Sequence, residues 1–393
     1  MNNKEIPKEQ AVDPRIALLR SIGARTSCAM KSIGSSKASG VAGFNMIRSH
    51  RMNGMGVHAS LMGRVLRDTG LPVQMLEFDD QTPPSQPPDI LYPATICAVT
   101  PGHILFSELQ YPRAFSFKRK RAAVFSWDVD VIPRRLRAGF PLLDEVWALS
   151  SMGQNYLSQT ISTPVHLFPT PISRPETPFP GSFRTAMNLG DKFVVAYQFD
   201  IGSSARRKNA RTAIEIYRHA FPHETANTHL IMKCTRADMD SAEWRELEMA
   251  RGTRSDISLI NDFWSREFVD AMYADIDCYL SPHRSEGYGL TVAEALSHGV
   301  FVIATAYGGP MDFMSPENSG FIPFRMVEVG PDPIYPAKAR WAEPQVDEGA
   351  DLLRDAYLHR DTTQARAIAA REEALSRFTV ERAVNWVQDR MRQ

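Results

Sequence analysis

The sequence predicts an α/β protein built of two doubly wound, parallel-sheet domains in tandem. Three observations carry this. The length of 393 residues exceeds one ordinary core and falls short of three. Two separate runs alternate short apolar strands with amphipathic helices, the pattern of a parallel sheet covered on both faces. Between them lies a proline-rich, aperiodic stretch, "HLFPTPISRPETPFPGS", that reads as a domain boundary.

The elements follow in order. Residues 1–41, rich in Ser, Lys and Gly, read as a mobile tail with a short helix within "DPRIALLRSI". The first domain, 42–187, opens as a βαβ unit: strand "GFNMI", tight turn "NGMG", a helix over 57–69 with an apolar stripe, and strand "PVQMLEF". A connector, "QTPPSQPPD", leads to strands "ILYPATICAV", "AAVFSW" and "DEVWALS". The second domain, 188–375, continues with strand "FVVAYQF", a helix over 209–220, strand "THLIMKC", a helix over 242–250, strand "DISLI", a helix over 265–273, and strands "IDCYLS" and "VFVIAT". The chain is helical by period over about 346–391, and its last segment is 376–393. Ligands of such sheets meet at the carboxyl ends of the strands.

Composition excludes several classes. Apolar residues make up 43% and charged residues 23%, and no run approaches the roughly 18 uninterrupted apolar residues of a membrane-spanning helix. The four cysteines, Cys28, Cys97, Cys234 and Cys278, form no CxxC pair and read as reduced core residues of a cytoplasmic protein. The N-terminus lacks an apolar signal core. Net charge is zero, yet residues 1–190 hold 21 Lys+Arg against 14 Asp+Glu, and the remainder 24 against 31. Much of the excess clusters at Lys118, Arg119, Lys120, Arg121 and at Arg134, Arg135, Arg137. That is an ordinary solvated face, or a contact with anionic lipid or an anionic acceptor at the inner face of the cell membrane.

The chemistry concentrates in "HRSEGYGLTVAEAL", 283–296. A helix beginning near Thr291 would make Thr291 and Glu294 a capping box, which accounts for Glu294 but leaves Glu286 and the glycines unexplained. Gly287 and Gly289 remove side chains where a ligand can approach backbone, and the helix start behind them offers unpaired N–H groups and partial positive charge. Such a place attracts phosphate. Carboxylates are good acceptors for sugar hydroxyls, so Glu286 would hold a hexose and Glu294 a ribose, straddling a diphosphate.

"EGYGLTVAE" resembles the E-x7-E signature of retaining glycosyltransferases of family 4, which have the GT-B fold of two Rossmann-like domains facing a central cleft. "FDIGSSARRKNARTAIEIYRHAF" resembles that group's phosphate-binding segment, with Ser203 in its loop and with Lys208, or Arg207, neutralising the diphosphate. Cations at a helix start are otherwise disfavoured by its dipole. Two further stretches resemble a polysaccharide-building subgroup: "GFNMIRSHRMNGMGVHASLMGRVLRDTGLPV", carrying the Gly54 and Gly56 loop, and "FSWDVDVIPRRLRAGFPLLDEVWALSS", in which Asp128 follows Trp127 where the group usually has Glu. "ATAYGGPMDFM" matches a donor-side glycine turn at Gly308 and Gly309, with Asp312 as nearest acid, and "RWAEP" also matches.

The resemblance implies transfer of a hexose from a nucleotide-diphosphate sugar to a glycan or lipid-linked acceptor, with retention, in surface polysaccharide or lipopolysaccharide synthesis. It implies mannose from GDP-mannose first, then UDP- or dTDP-sugars, with no other cofactor and no nucleic acid partner, and a C-terminal helix within 376–393 that packs back on the first domain. Glu286, Lys208 and Arg207 are the catalytic candidates. Glu294, Gly287, Tyr288, Gly289, Leu290, Thr291, Gly54, Gly56, Ser203, Gly308 and Gly309 are donor-side candidates, and Asp128, His103 and Trp127 acceptor-side ones. No metal is expected: Asp128 and Asp130 spell a chance Asp-x-Asp, and no His/Cys cluster has zinc spacing. The rival readings are a nucleotide-sugar epimerase or a phosphorylase of the same architecture, and a non-catalytic sugar-nucleotide-binding scaffold.

Overall fold

A computed structural model describes residues 37–38, 40–49, 54–78, 90–173, 181–224 and 226–392. The predicted helix within 13–22, the connector at 81–89 and Cys28 lie outside the described residues, as does nearly all of the predicted tail.

The first sheet takes its strands from β2 (Phe44–Ser49), β3 (Val73–Phe78), β5 (Ala94–Ala98), β6 (Lys120–Phe125), β7 (Glu145–Ala148) and β8 (Val165–Leu167), in the order β3-β2-β5-β6-β7-β8. Every neighbouring pair is parallel. A two-stranded ladder, β1 (Lys37–Ala38) with β4 (Ile90–Leu91), stands apart from it. The expected single strand "ILYPATICAV" is therefore two, because Pro93 has no N–H to give a ladder and Asn45 reaches across to the backbone of Tyr92. Helices α1 (Gly54–Asp68), α2 (Pro101–Gln110), α3 (Arg134–Arg137) and α4 (Ser151–Ser158) connect the strands. The first of these begins at Gly54 rather than at 57, so "GMG" forms its first turn, where N–H groups need no intrahelical partner.

In the second sheet β9 (Phe193–Asp200), β10 (Thr228–Thr235), β11 (Ile257–Asn261), β12 (Cys278–Ser281), β13 (Phe301–Thr305) and β14 (Gly320–Ile322) lie in the order β11-β10-β9-β12-β13-β14, all parallel. The strand order reverses between β9 and β12, which is where such sheets open a crevice. The helices are α5 (Ser182–Ala186), α6 (Ala205–Lys208), α7 (Ala210–Ala220), α8 (Ala242–Arg251), α9 (Arg266–Asp275) and α10 (Leu290–Ser297). An antiparallel hairpin, β15 (Phe324–Glu328) with β16 (Arg340–Pro344), was not anticipated. Its Trp341, together with Tyr335 in its loop, buries into the first domain's core beside Trp127, so one apolar cluster spans both domains.

The helical end breaks into α11 (Val346–Leu358), α12 (Arg360–Arg377) and α13 (Val380–Arg392). α13 lies against the first sheet. Trp386 meets Trp147 edge-on at 5.0 Å between ring centroids, and Arg390 and Lys120 pair with the buried Glu145. The basic run is mostly committed within the protein: Arg119 donates to backbone carbonyls, Arg121 pairs with Asp144 and Lys120 with Glu145. Cys97, Cys234 and Cys278 are free and buried. Among the described residues no helix is long and apolar enough to cross a membrane.

Candidate functional site

The site forms where the strand order of the second sheet reverses. After β9, Asp200 accepts from the Gly202 amide, and Ser204, held at φ +73°, caps a single helical turn through Arg207 N. Asn209, at φ +56°, then interrupts the helix before α7 starts. This break folds Arg207 and Lys208 over the strand ends instead of leaving them along a solvated helix start. The Tyr197 hydroxyl donates to Lys208 O (2.7 Å) and Asn209 Nδ2 to Pro282 O (3.0 Å), fixing the turn to the neighbouring strand's loop.

That loop, after β12, carries the acid. His283 is buried, bonded through Nδ1 to Ser281 and through Nε2 to Tyr307 O. Arg284 N donates to Arg207 O, and the Arg284 side chain forks onto Glu343. Glu286 then receives both cations, with Lys208 Nζ 2.5 Å from Oε1 and Arg207 Nη1 3.1 Å from Oε2. Burial by itself pushes the Glu286 carboxyl up, but Lys208 and then Arg207 outweigh it and hold it at about 2. Burial likewise opposes the charge on Arg207, and Asp128, Tyr335 and Glu286 more than restore it.

The glycines have a structural reason that sequence reasoning assigned to a ligand. Gly289 sits at φ +92°, and a Cβ there would meet Pro310 at 2.6 Å. A Cβ on Gly309 would stand 2.5 Å from the Tyr288 Cα, and one on Gly308 would stand 2.7 Å from Glu286 O. The two loops therefore interlock, with Gly309 N donating to Glu286 O at 2.7 Å. A Cβ on Gly287 would run into Ser126 and Asp128 of the first domain.

The capping box, the purely structural alternative for Glu294, does not form. α10 starts at Leu290 with Gly289 as its N-cap, so Thr291 lies inside the first turn and Glu294 faces elsewhere. Glu294 pairs with Arg266 and accepts from the Tyr273 hydroxyl at 3.3 Å, while Tyr273 also donates to Thr291 O. The positive-φ glycine turns the chain so sharply that no side chain is placed to cap.

Asp128 crosses from the first domain. Its carboxylate lies 3.4 Å from Arg207 Nη1, accepts from Gly287 N at 2.7 Å, and accepts from the Tyr335 hydroxyl at 2.7 Å. Its shorter arm suffices because Gly287 brings its backbone to the carboxylate. Asp130 accepts from Arg340 N, so both aspartates of "DVD" are spent on the second domain. Asp312 makes the reverse crossing to Ser151 N, 2.8 Å away.

Other expected residues divide. Ser203 contributes its carbonyl to Arg207 Nη2. Trp127 is buried between Phe125 and Tyr335, with Nε1 donating to Val131 O, and belongs to the core. His103 bonds to Thr100 and packs on Phe78 in the first turn of α2. Gly54 and Gly56 open α1, whose His58 reaches the site: it meets Tyr288 edge-on at 5.3 Å and has an Nδ1 without a partner. Burial lowers His58 to about 4, against the pull of Glu286. His58, His283, Tyr335 and the Arg284–Glu343 pair were missed. His283 and Arg284 carried a signal as the first two residues of the motif stretch, and His58 and Glu343 lay within the quoted stretches 43–73 and 340–344.

Two cations beside a helix start, a carboxylate poised between them and a second domain closing over all three can bind a diphosphate and the groups at its ends. By fold the chain is of the GT-B class, two Rossmann-like domains facing a cleft. Residues 201–324, which contain Arg207, Lys208, Glu286 and Glu294, match the family described as glycosyl transferases group 1. No curated protein sequence matches the chain.

Three solved structures illustrate the likeness. Sucrose-phosphate synthase from Thermosynechococcus elongatus has a TM-score of 0.65 at 16% identity, over 90% of this chain and 98% of that one. HepE of Anabaena in complex with UDP-glucose has 0.61 at 13%, over 88% and 98%. TarM of S. aureus, in complex with Fondaparinux, alpha-GlcNAc-glycerol and UDP, has 0.55 at 14%, over 76% of this chain but 55% of its own, so the chain spans about half of TarM's length. At these identities the likeness is one of fold.

Proposed function

We propose that this protein is a retaining glycosyltransferase that moves a hexose from a nucleotide-diphosphate sugar to a glycan or lipid-linked acceptor. The observation that carries it is the convergence of Arg207, Lys208 and Glu286 at the strand-order reversal, beside the start of α10 and under Asp128. A diphosphate is a stronger partner for the two cations than one carboxylate, so its arrival turns Glu286 toward the hydroxyls of the transferred sugar. As the sugar leaves, negative charge grows on the diphosphate. Lys208, Arg207 and the amides at the start of α10 stabilise it there, the kind of preorganised donor set that contributes most to such reactions. The leaving phosphate takes the acceptor's proton on the same face, which retains configuration, and no side chain is assigned as base. Glu294 accepts from the ribose, and the first domain, with Asp128 at its edge, receives the acceptor.

Sequence favours mannose from GDP-mannose. The HepE and TarM structures hold UDP-glucose and UDP, which supports testing a uridine donor beside it. The experiment is a melting-temperature panel of GDP-, UDP-, dTDP- and ADP-sugars followed by product analysis with and without glycan acceptors. The right donor at a hundredfold excess over Kd stabilises by about 2.7 kcal/mol. No stabilisation by any sugar nucleotide would end this reading, and isomerised donor without acceptor would mark an epimerase.

A further inference from the structure

Lys233, two residues before the end of β10, is 5% exposed. Among the described residues its ammonium has neither a hydrogen bond nor an ion pair and lies over the Trp264 ring, 5.7 Å from the centroid. Buried lysines without a carboxylate partner are rare, because desolvating the charge is costly. Burial lowers this one below the usual lysine range, and Cys234, Asp262 and Glu294 pull it only part of the way back. Its register partner on β9, Gln198, carries a buried Oε1 with no partner. Phe263, beside Trp264 in the loop after β11, is 70% exposed. An ammonium without a partner, an orphaned acceptor and an aromatic surface thus lie at the carboxyl ends of the neighbouring strands β10, β9 and β11.

This place lies one strand outward from the phosphate cations, with Glu294 within electrostatic range. A nucleotide whose diphosphate sits at Arg207 and Lys208 and whose ribose meets Glu294 carries its base next. Resting on the sugar-nucleotide reading above, we infer that Lys233 is a specificity residue selecting donors whose base presents a carbonyl at pyrimidine C4 or purine C6, uracil, thymine or guanine, against cytosine and adenine, which carry an amino group there. Uracil O4 and guanine O6 accept from an ammonium. Cytosine N4 and adenine N6 are donors and would leave the ammonium facing another donor. A site built for one hydrogen-bonding pattern rejects the inverse strongly.

The test measures Kd for UDP, CDP, GDP and ADP by calorimetry on the full chain, for wild type, Lys233→Met and Lys233→Gln. Wild type is expected to prefer UDP over CDP and GDP over ADP by about 10- to 100-fold. Both variants bring those ratios toward one, the glutamine because its amide can present either its donor or its acceptor. The methionine variant removes an unpaired charge that burial of the side chain disfavours, so its melting temperature should be at or above wild type; if it does not fold, the glutamine variant decides. Ratios that survive both substitutions overturn the inference. An equal loss for all four nucleotides also overturns it, because Lys233 would then serve phosphate, while the function proposed above would stand. If none of the four binds wild type, both fall together.

Discussion

Arg207 of the second domain stands 3.4 Å from Asp128 of the first, an ion pair across the cleft made by the same guanidinium that holds Glu286. Asp128 also accepts from Gly287 N and the Tyr335 hydroxyl, so one carboxylate fixes the first domain to the second at three points. Asp128→Ala is expected to destabilise the protein by about 2–3 kcal/mol, the scale of hydrogen bonds to a charged group. Denaturant unfolding measures this, and small-angle scattering should show a larger radius of gyration. If neither changes, the aspartate does not hold the domains together.

Glu286 gives a pH signature. Its folded pKa, about 2, is depressed below the ordinary glutamate value of 4.5. Its stabilising contribution is therefore complete above about pH 4.5 and is lost as pH falls toward 2. Glu286→Gln, which leaves Lys208 and Arg207 without their shared carboxylate, should cost about 3–5 kcal/mol at neutral pH. That difference from wild type should shrink as pH falls through the window. A difference constant from pH 6 to pH 2.5 would show that the carboxylate is not ion-paired in the folded protein.

Glu294→Ala separates binding from structure. The side chain pairs with Arg266 and Tyr273, but Arg266 keeps Asp270 as a partner, so the stability loss should be modest. Nucleoside diphosphate affinity should fall by about 10- to 100-fold, as for losing a charged hydrogen bond. Unchanged affinity would leave Glu294 a purely structural residue.

Gly309→Ala tests the interlock of the two donor-side loops. The new methyl would stand 2.5 Å from the Tyr288 Cα and 2.6 Å from Gly287 O. These are backbone atoms that cannot rotate away, so a loss of about 3 kcal/mol is expected, the upper range for overpacking. Gly54→Ala, in open space at the start of α1, is the control and should be nearly neutral in thermal melts. Equal melting temperatures for the two variants would rule out the interlock.

The sequence by itself determined the two alternating α/β units, the all-parallel sheets and the segments that bear the charged site residues. Buried parallel strands are near-continuous apolar runs and their helices have a clear stripe, so both are local signals. It also assigned Glu286, Lys208 and Arg207 to one site, through the resemblance of two separate stretches to one family's motifs. Only the tertiary structure decided what those residues touch. The capping box failed because Gly289 turns the chain at positive φ, Trp127 went to the core because Tyr335 and Trp341 arrive from a hairpin two hundred residues away, and the motif glycines proved to be sites of loop and domain contact. The roles of Lys233 and His58 were invisible in the sequence, since nothing local to either residue reveals that the ammonium ends up without a partner over Trp264 or that the ring nitrogen is buried without one. Contacts between elements far apart in the chain depend on packing in three dimensions, which hydrophobic period and motif spacing do not encode.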